Sequence, residues 1–306
     1  MLLALRIEVD SLAAARQAVP PLLSMLQTAG AQASFYFNMG PDRSGRARGP
    51  LFQVGEHKRQ IRQNRQLSGP HGAARLYGWL LPSPEVYRQA GAVIESVKQA
   101  GYEVGVGAWD RVAWVKQIAG ADQRWVRQEL QAALHAYETL LGEPGRSLAA
   151  PGWRTNRPAL RLEQLLGMEY GSDTRGTHPF LPVVDGEPIR VPQLPTTLPT
   201  LAELIGSGSH DEQSAVEALL ARTAQIPLTG HVFTIHAARD GGKRLPVLQR
   251  LIAGWQQQGH ELASLHRLLG MLQQAKLPWH CVEQRAWPGY AGLLSVQGEP
   301  FPGRVA

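Results

Sequence analysis

Two carboxylates, Glu8 and Asp10, stand at the end of the apolar run that begins at Leu2. Neighbouring unpaired carboxylates repel each other, and one would take up a proton, so a fixed cation is expected beside them. Arg111, the last residue of Gly107-Ala108-Trp109-Asp110-Arg111, can supply it, because a guanidinium can bridge two carboxylates through bidentate hydrogen bonds. Such a charged pocket can hold a polar ligand. Tyr77, Trp79, Trp109 and Trp153 offer flat apolar faces with polar edges that suit stacking on a sugar ring. Alternatively, they pack the structure, the simpler reading for Trp109. Arg154 and Arg175 can bind phosphate, or pair with a local carboxylate such as Asp173. His236 closes the apolar run Val232-Phe233-Thr234-Ile235. It and Glu8 also admit a plain reading as hydrogen-bonded residues at strand ends. The remaining histidines, His57, His71, His135, His178, His210, His231, His260, His266 and His280, show no ligand-like spacing except in pairs too loose to interpret, and are assigned no function.

The elements that position these residues alternate between strand and helix, the pattern of a parallel sheet with outer helices. Leu2 to Val9 reads as a buried strand. Ser11 to Ala29 reads as a helix closed by Gly30 and interrupted at Pro20-Pro21. Gln32 to Asn38 is the next strand. Ser83 as N-cap and Pro84 at the first helical position predict a helix running to Ala100. Glu103 to Val106 then delivers Gly107 to Arg111 to a strand end. Further units are predicted around Asp122 to Leu141, Ser147 to Leu166, Glu169 to Ser172, His231 to His236 and Arg244 to Gln258. The motifs fall at strand C-terminal ends, where parallel barrels place their chemistry.

Several segments, in order, carry a resemblance: Arg6-Ile7-Glu8-Val9-Asp10, Ala33-Ser34-Phe35-Tyr36-Phe37, Leu76-Tyr77-Gly78-Trp79, Ala108-Trp109-Asp110 and Gly152-Trp153-Arg154. Ser172-Asp173-Thr174-Arg175-Gly176, Thr197-Leu198-Pro199-Thr200 and Thr234-Ile235-His236-Ala237 continue it. Together they resemble the polysaccharide deacetylase (NodB-homology) family, and within it the deformylases of lipid-linked formamido-arabinose. The resemblance implies a distorted (β/α) barrel, α/β in class. It also implies a divalent metal such as zinc, held by one Asp and two His, with a carboxylate base and a His acid. The metal would polarise the amide carbonyl and its bound water while base and acid move protons. Carried over by residue, Asp10 matches the metal carboxylate, His236 the acid and Glu8 the base position, where the family has Asp. Gly107 and Arg111 stand at the two metal-histidine positions. Glycine has no side chain and arginine does not become a ligand, whereas catalytic zinc takes three protein ligands, so no metal is expected. Returning His to 107 and 111 would create zinc binding if the surroundings keep the family's geometry.

The chain has 306 residues, 43% of them hydrophobic, enough for one large domain. Residues 1–275 are expected to form the barrel, with a basic insertion at 42–75, and 276–306 a tail that wraps against it or stays mobile. The insertion holds Arg43, Arg46, Arg48, Lys58, Arg59, Arg62, Arg65 and Arg75 against Glu56, within a net charge of +6 and a pI near 9.7. A charge run of this kind is commonly a solvated loop. Its functional reading is contact with an anionic inner-membrane surface, which also suits a phosphate-bearing, lipid-linked amino sugar as the resemblance implies. The absence of a recognition motif argues against nucleic acid. The single Cys281 excludes an internal disulfide, and Met1 to Leu5 is too short for a signal peptide or span, so the cytoplasm is the expected location. Three functions follow: a relative with impaired or lost hydrolysis that binds a lipid-linked amino sugar or a pathway partner; a carbohydrate N-deacylase with altered or metal-independent chemistry; or a basic membrane-associated scaffold.

Overall fold

Strand β1 (Leu2–Val9) is buried along its whole length, and its side chains alternate between two environments, as a strand's must. Leu3, Leu5, Ile7 and Val9 join the main core beneath the outer helices. Leu2 and Ala4 face a second, inner cluster with Tyr36, Tyr170 and Val232. The inner file then continues as Arg6, Glu8 and Asp10, so it turns from apolar to charged along the strand. The computed structural model describes residues 1–47, 74, 76–206, 210–225, 227–272, 277–288, 290 and 292–302. Most of the expected insertion at 42–75, including Arg48, Lys58, Arg59, Arg62, Arg65 and Arg75, lies outside the described residues.

Around β1, strands β2 (Ser34–Phe37), β3 (Glu103–Val106), β4 (Ser147–Leu148), β5 (Tyr170–Gly171), β8 (His231–His236) and β9 (Glu261–Ala263) form an all-parallel sheet. Its order is β5-β4-β3-β2-β1-β8, with β9 also on β1. The sheet curls into a half-barrel with helices around it, the α/β barrel class expected. Register sets the inner files against one another: Glu8 stands beside Tyr36 and His236, and Tyr36 beside Gly105. A Cβ at Gly105 would lie 2.3 Å from the Tyr36 ring, so glycine there makes room for the tyrosine.

The segment expected as one helix from Ser11 to Ala29 is a π-helical turn (Ala14–Ala18) followed by an α-helix (Val19–Ala29), closed by Gly30 at φ 62°. Pro20 and Pro21 sit in that helix's first turn, where a missing N–H costs nothing. Ser83 and Pro84 do not start the next helix. Pro84 instead accepts a hydrogen bond from Asp42 N, and helices Val86–Gln89 and Gly91–Gln99 follow. The expected tail is largely strand. Strands β10 (Trp279–Ala286) and β11 (Leu293–Pro300) form an antiparallel hairpin, and β10 pairs in parallel with β6 (Leu181–Val184). With β7 (Glu187–Pro188) these make a second sheet, β11-β10-β6-β7. Among the described residues no helix is long and apolar enough to cross a membrane.

Candidate functional site

At the C-terminal ends of β1 and β8 the inner files place a cation, a carboxylate and an imidazole in one buried group. Arg6 is wholly inaccessible to water. Its Nη1 donates to Thr234 Oγ1 at 3.3 Å and its Nη2 to Ala150 O at 3.5 Å, and Nη2 lies 3.9 Å from Glu8 Oε1. The guanidinium also stands over the rings of Trp153 and Tyr36, at 5.4 and 5.9 Å, which favours a desolvated cation. Glu8 Oε2 takes the hydrogen bond of His236 Nδ1 at 2.8 Å, while Oε1 accepts from Gly152 N at 3.3 Å. Burial would raise the Glu8 pKa, but the His236 hydrogen bond and the charges of Arg6, His236 and Arg111 outweigh it and hold the carboxyl well below the usual range. His236 Nε2 is buried and has no hydrogen-bond partner.

Trp153 is the wall of this group. The turn Pro151–Trp153 carries two successive left-handed residues, Gly152 at φ 65° and Trp153 at φ 51°, a conformation that costs a bulky residue energy and persists only where surroundings enforce it. Here the indole Nε1 donates to Thr196 Oγ1 at 2.9 Å, and both Arg6 and Arg175 lie over the ring. Trp153 is fully buried, so its ring serves the two guanidinium groups instead of the sugar-stacking face expected. Arg175 is buried too. It pairs with Glu203 at 3.1 Å and stands over Trp287 at 4.9 Å, and does not pair with Asp173. Asp173 instead accepts from Ala150 N and Gln193 Nε2 at 2.7 and 2.8 Å, beside the buried Glu163, whose pKa burial and then Asp173 push up.

The outer end of the β1 file differs. Asp10 is partly exposed, and Arg111 Nη2 stands 3.5 Å from its Oδ2. Arg111 opens the helix Arg111–Gln117, which Asp110 caps by accepting from Val112 N and Ala113 N at 3.0 Å. Arg154 lies close by. Its Nη1 donates to Val115 O at 2.7 Å, and burial and then the charge of Arg111 lower its pKa. The space at Gly107 is taken by Asn38, whose Oδ1 accepts from Ala108 N at 3.0 Å. A Cβ at Gly107 would lie 2.7 Å from that oxygen, so a histidine enters only if Asn38 moves. Asp10, an arginine, a glycine and a carboxamide do not form a metal donor set. Among the described residues, no three or more His, Cys, Asp or Glu are grouped to hold a metal ion.

Tyr77 and Trp79 do not enter the buried group. They belong to a turn from Leu76 to Leu81 in which Trp79 is 69% and Leu80 67% exposed. Trp109 packs against Tyr87, its ring centroid 6.2 Å away. Sequence reasoning missed Arg6 and Asn38 as parts of the site. A charge inside the run Leu2 to Val9 was the available signal for the first.

Because the folded state lowers the Glu8 pKa, its ionised form adds stability that is fully present above the unfolded value of about 4.3 and is lost progressively as pH falls from there through the depressed folded value. Glu8→Gln is therefore expected to cost about 3 kcal/mol at pH 7, leaving Arg6 with a weakened partner. The gap from the parent should narrow at pH 3, as read from urea unfolding midpoints at the two pH values.

A scan against protein-family models gives no match. The chain is 30% identical over 272 residues, 87% of its length and 85% of the other's, to a Shewanella sediminis protein named "Probable 4-deoxy-4-formamido-L-arabinose-phosphoundecaprenol deformylase ArnD". It is 26% identical to the Wigglesworthia glossinidia brevipalpis protein of the same name, over 91% of this chain and 96% of that one. A crystal structure from Mycobacterium smegmatis, assigned to the polysaccharide deacetylases, superposes with a TM-score of 0.63 at 16% identity, covering 94% of each chain; it shares the fold. On the strength of the first relative, the chain belongs to the ArnD-type deformylase family.

Proposed function

We propose that this chain binds a lipid-linked amino sugar at the half-barrel mouth, with metal-dependent hydrolysis impaired or lost. The observation that carries this reading is the Arg111–Asp10 ion pair at 3.5 Å. It places a cation against the carboxylate that would hold the metal, beside a Gly107 position already occupied by Asn38. The relatives' names specify a formamido sugar on phosphoundecaprenol, and Arg111 and Arg154 together make the mouth cationic, as a phosphate-bearing ligand requires. The lipid would be met at an anionic inner-membrane surface. The exposed Trp79, Leu80 and Leu81 form an apolar tip with Arg46 alongside, since Arg46 Nε donates to Gly78 O. Apolar insertion combined with basic residues suits an interface.

A second reading rests on the Glu8–His236 contact. A carboxylate that fixes one imidazole nitrogen leaves the other, Nε2, for proton transfer, which would serve an N-deacylase that works without the family's metal. The two readings part on one assay. Parent, Glu8→Gln and His236→Gln proteins are mixed with a formamido or acetamido sugar on undecaprenyl phosphate, carried in anionic or neutral vesicles. Sugar-dependent binding that is stronger on anionic vesicles, with no release of formate or acetate, is the expected result. Acid release that both substitutions abolish would establish the second reading. Absence of binding to either vesicle type would end the first.

The geometry around Asn38 yields a separate expectation. Relative to the parent, Gly107→His with Arg111→His should add no bound zinc ion, whereas adding Asn38→Ala should add one that Asp10→Asn removes. Calorimetric titration of zinc into the double and triple variants checks this. Equal stoichiometry in the two would show that Asn38 does not govern the space.

A further inference from the structure

His178, in the bend before β6, and His280, on β10, meet beside the second sheet. Their Nε2 atoms are 3.2 Å apart, with ring centroids 5.0 Å apart at 73°. Their neighbours dictate where the protons are. Gln297 Oε1 accepts from Thr177 N at 2.8 Å and from the Thr177 hydroxyl at 3.1 Å. The carbamoyl oxygen is thereby fixed, and the Gln297 NH2 group faces His178 Nε2 at 3.0 Å. His178 Nε2 must then be an acceptor, and its ring proton sits on Nδ1, 2.9 Å from Thr177 Oγ1. His280 Nδ1 lies 2.9 Å from Gly298 O, which can only accept, so His280 also carries its proton on Nδ1. With both rings neutral, Gln297 supplies an N–H to His178 Nε2, but none of these contacts supplies a donor to His280 Nε2 3.2 Å away, and a cation bound between the two nitrogens would satisfy both.

We propose that His178 and His280 form a two-imidazole site for a divalent transition-metal ion such as zinc. Bonds of about 2.0–2.1 Å to nitrogens 3.2 Å apart enclose an angle of about 100°, close to tetrahedral. Each ring already has its Nδ1–H held by an oxygen, the outer contact that fixes the tautomer of metal-binding histidines. Gln297 yields its N–H contact to the ion while its carbonyl stays anchored. His280 is buried, but His178 is only half-buried and Thr177 is exposed, so water reaches the remaining coordination positions. Those positions go to solvent, since no described group of three or more His, Cys, Asp or Glu is placed to hold a metal.

The test is calorimetric titration of zinc chloride into the full chain at pH 7.5 and pH 5.5, with His178→Gln, His280→Gln and Asp10→Asn compared. One ion per parent chain at pH 7.5 is expected, with affinity about tenfold or more weaker in either histidine variant and unchanged in Asp10→Asn. Metal affinity at imidazole ligands falls with pH in general, so binding should be weaker at pH 5.5 than at pH 7.5. Circular dichroism checks that the variants fold; if His280→Gln does not, the half-buried His178→Gln carries the comparison. No binding by the parent, or undiminished binding by His178→Gln, overturns the proposal. Because Asp10 is not involved, either result leaves the reading of the half-barrel mouth to its own experiment.

Discussion

A guanidinium cut off from water must be satisfied by protein, and Arg6 imposes that requirement on the centre of this fold. Three elements meet it in part, Thr234 on β8, the carbonyl of Ala150 after β4 and the ring of Trp153, while Arg6 Nε stays without a hydrogen-bond partner. The left-handed turn at Gly152 and Trp153 follows, since it brings the indole under the cation and also aims Gly152 N at Glu8. Tyr36 reaches the same guanidinium only because β3 offers Gly105 opposite it. Two residues further along those strands, Asn38 and Gly107 repeat the arrangement. Gly107, which the resemblance sets against a metal histidine, is therefore also a glycine that the packing of β2 against β3 uses.

The charges form two layers with different solvent access. In the inner layer Arg6, Glu8 and His236 neutralise one another away from water, where the penalty for an unmatched charge is greatest. In the outer layer Asp10 and Arg111 are partly exposed, so their attraction is screened and either is free to exchange its partner for a ligand. A rigid inner set beneath an adaptable rim suits recognition of a charged molecule. Any hydrolysis would depend on the inner layer, where, among the described residues, Arg6 Nε and His236 Nε2 lack a hydrogen-bond partner, and of these only an imidazole nitrogen can both take up and release a proton near neutral pH.

Legibility followed the range of the interactions. The strand from Leu2 to Val9 and the position of Gly30 were plain, because local periodicity and a left-handed cap are written in adjacent residues. The alternating strand and helix signals gave the parallel sheet for the same reason. Ser83 misled: its cap signal is local, but the backbone there is held by Asp42 across the chain. The hairpin Trp279 to Pro300 was hidden among Pro, Gly and aromatic residues, since its partner β6 lies about a hundred residues earlier. Trp153, Arg175 and the pair His178–His280 were misjudged or passed over for one reason. Sequence shows that a ring or a cation is present, not which of them occupies the other's open face.

The separation of Arg6 from its partners bears on how the chain is made. Thr234 is 228 residues downstream of Arg6 and Ala150 is 144, so the central strand emerges from the ribosome long before its cation can be covered. At about 5–20 residues per second, synthesis of that interval takes on the order of 10–45 s. During that time β1, the strand that later joins β2, β8 and β9, keeps its guanidinium hydrated and its apolar side open. Contacts of such long range slow folding. Arg6 and Glu8 interrupt what would otherwise be an apolar β1, and charges placed in this way oppose premature pairing with other unfolded segments.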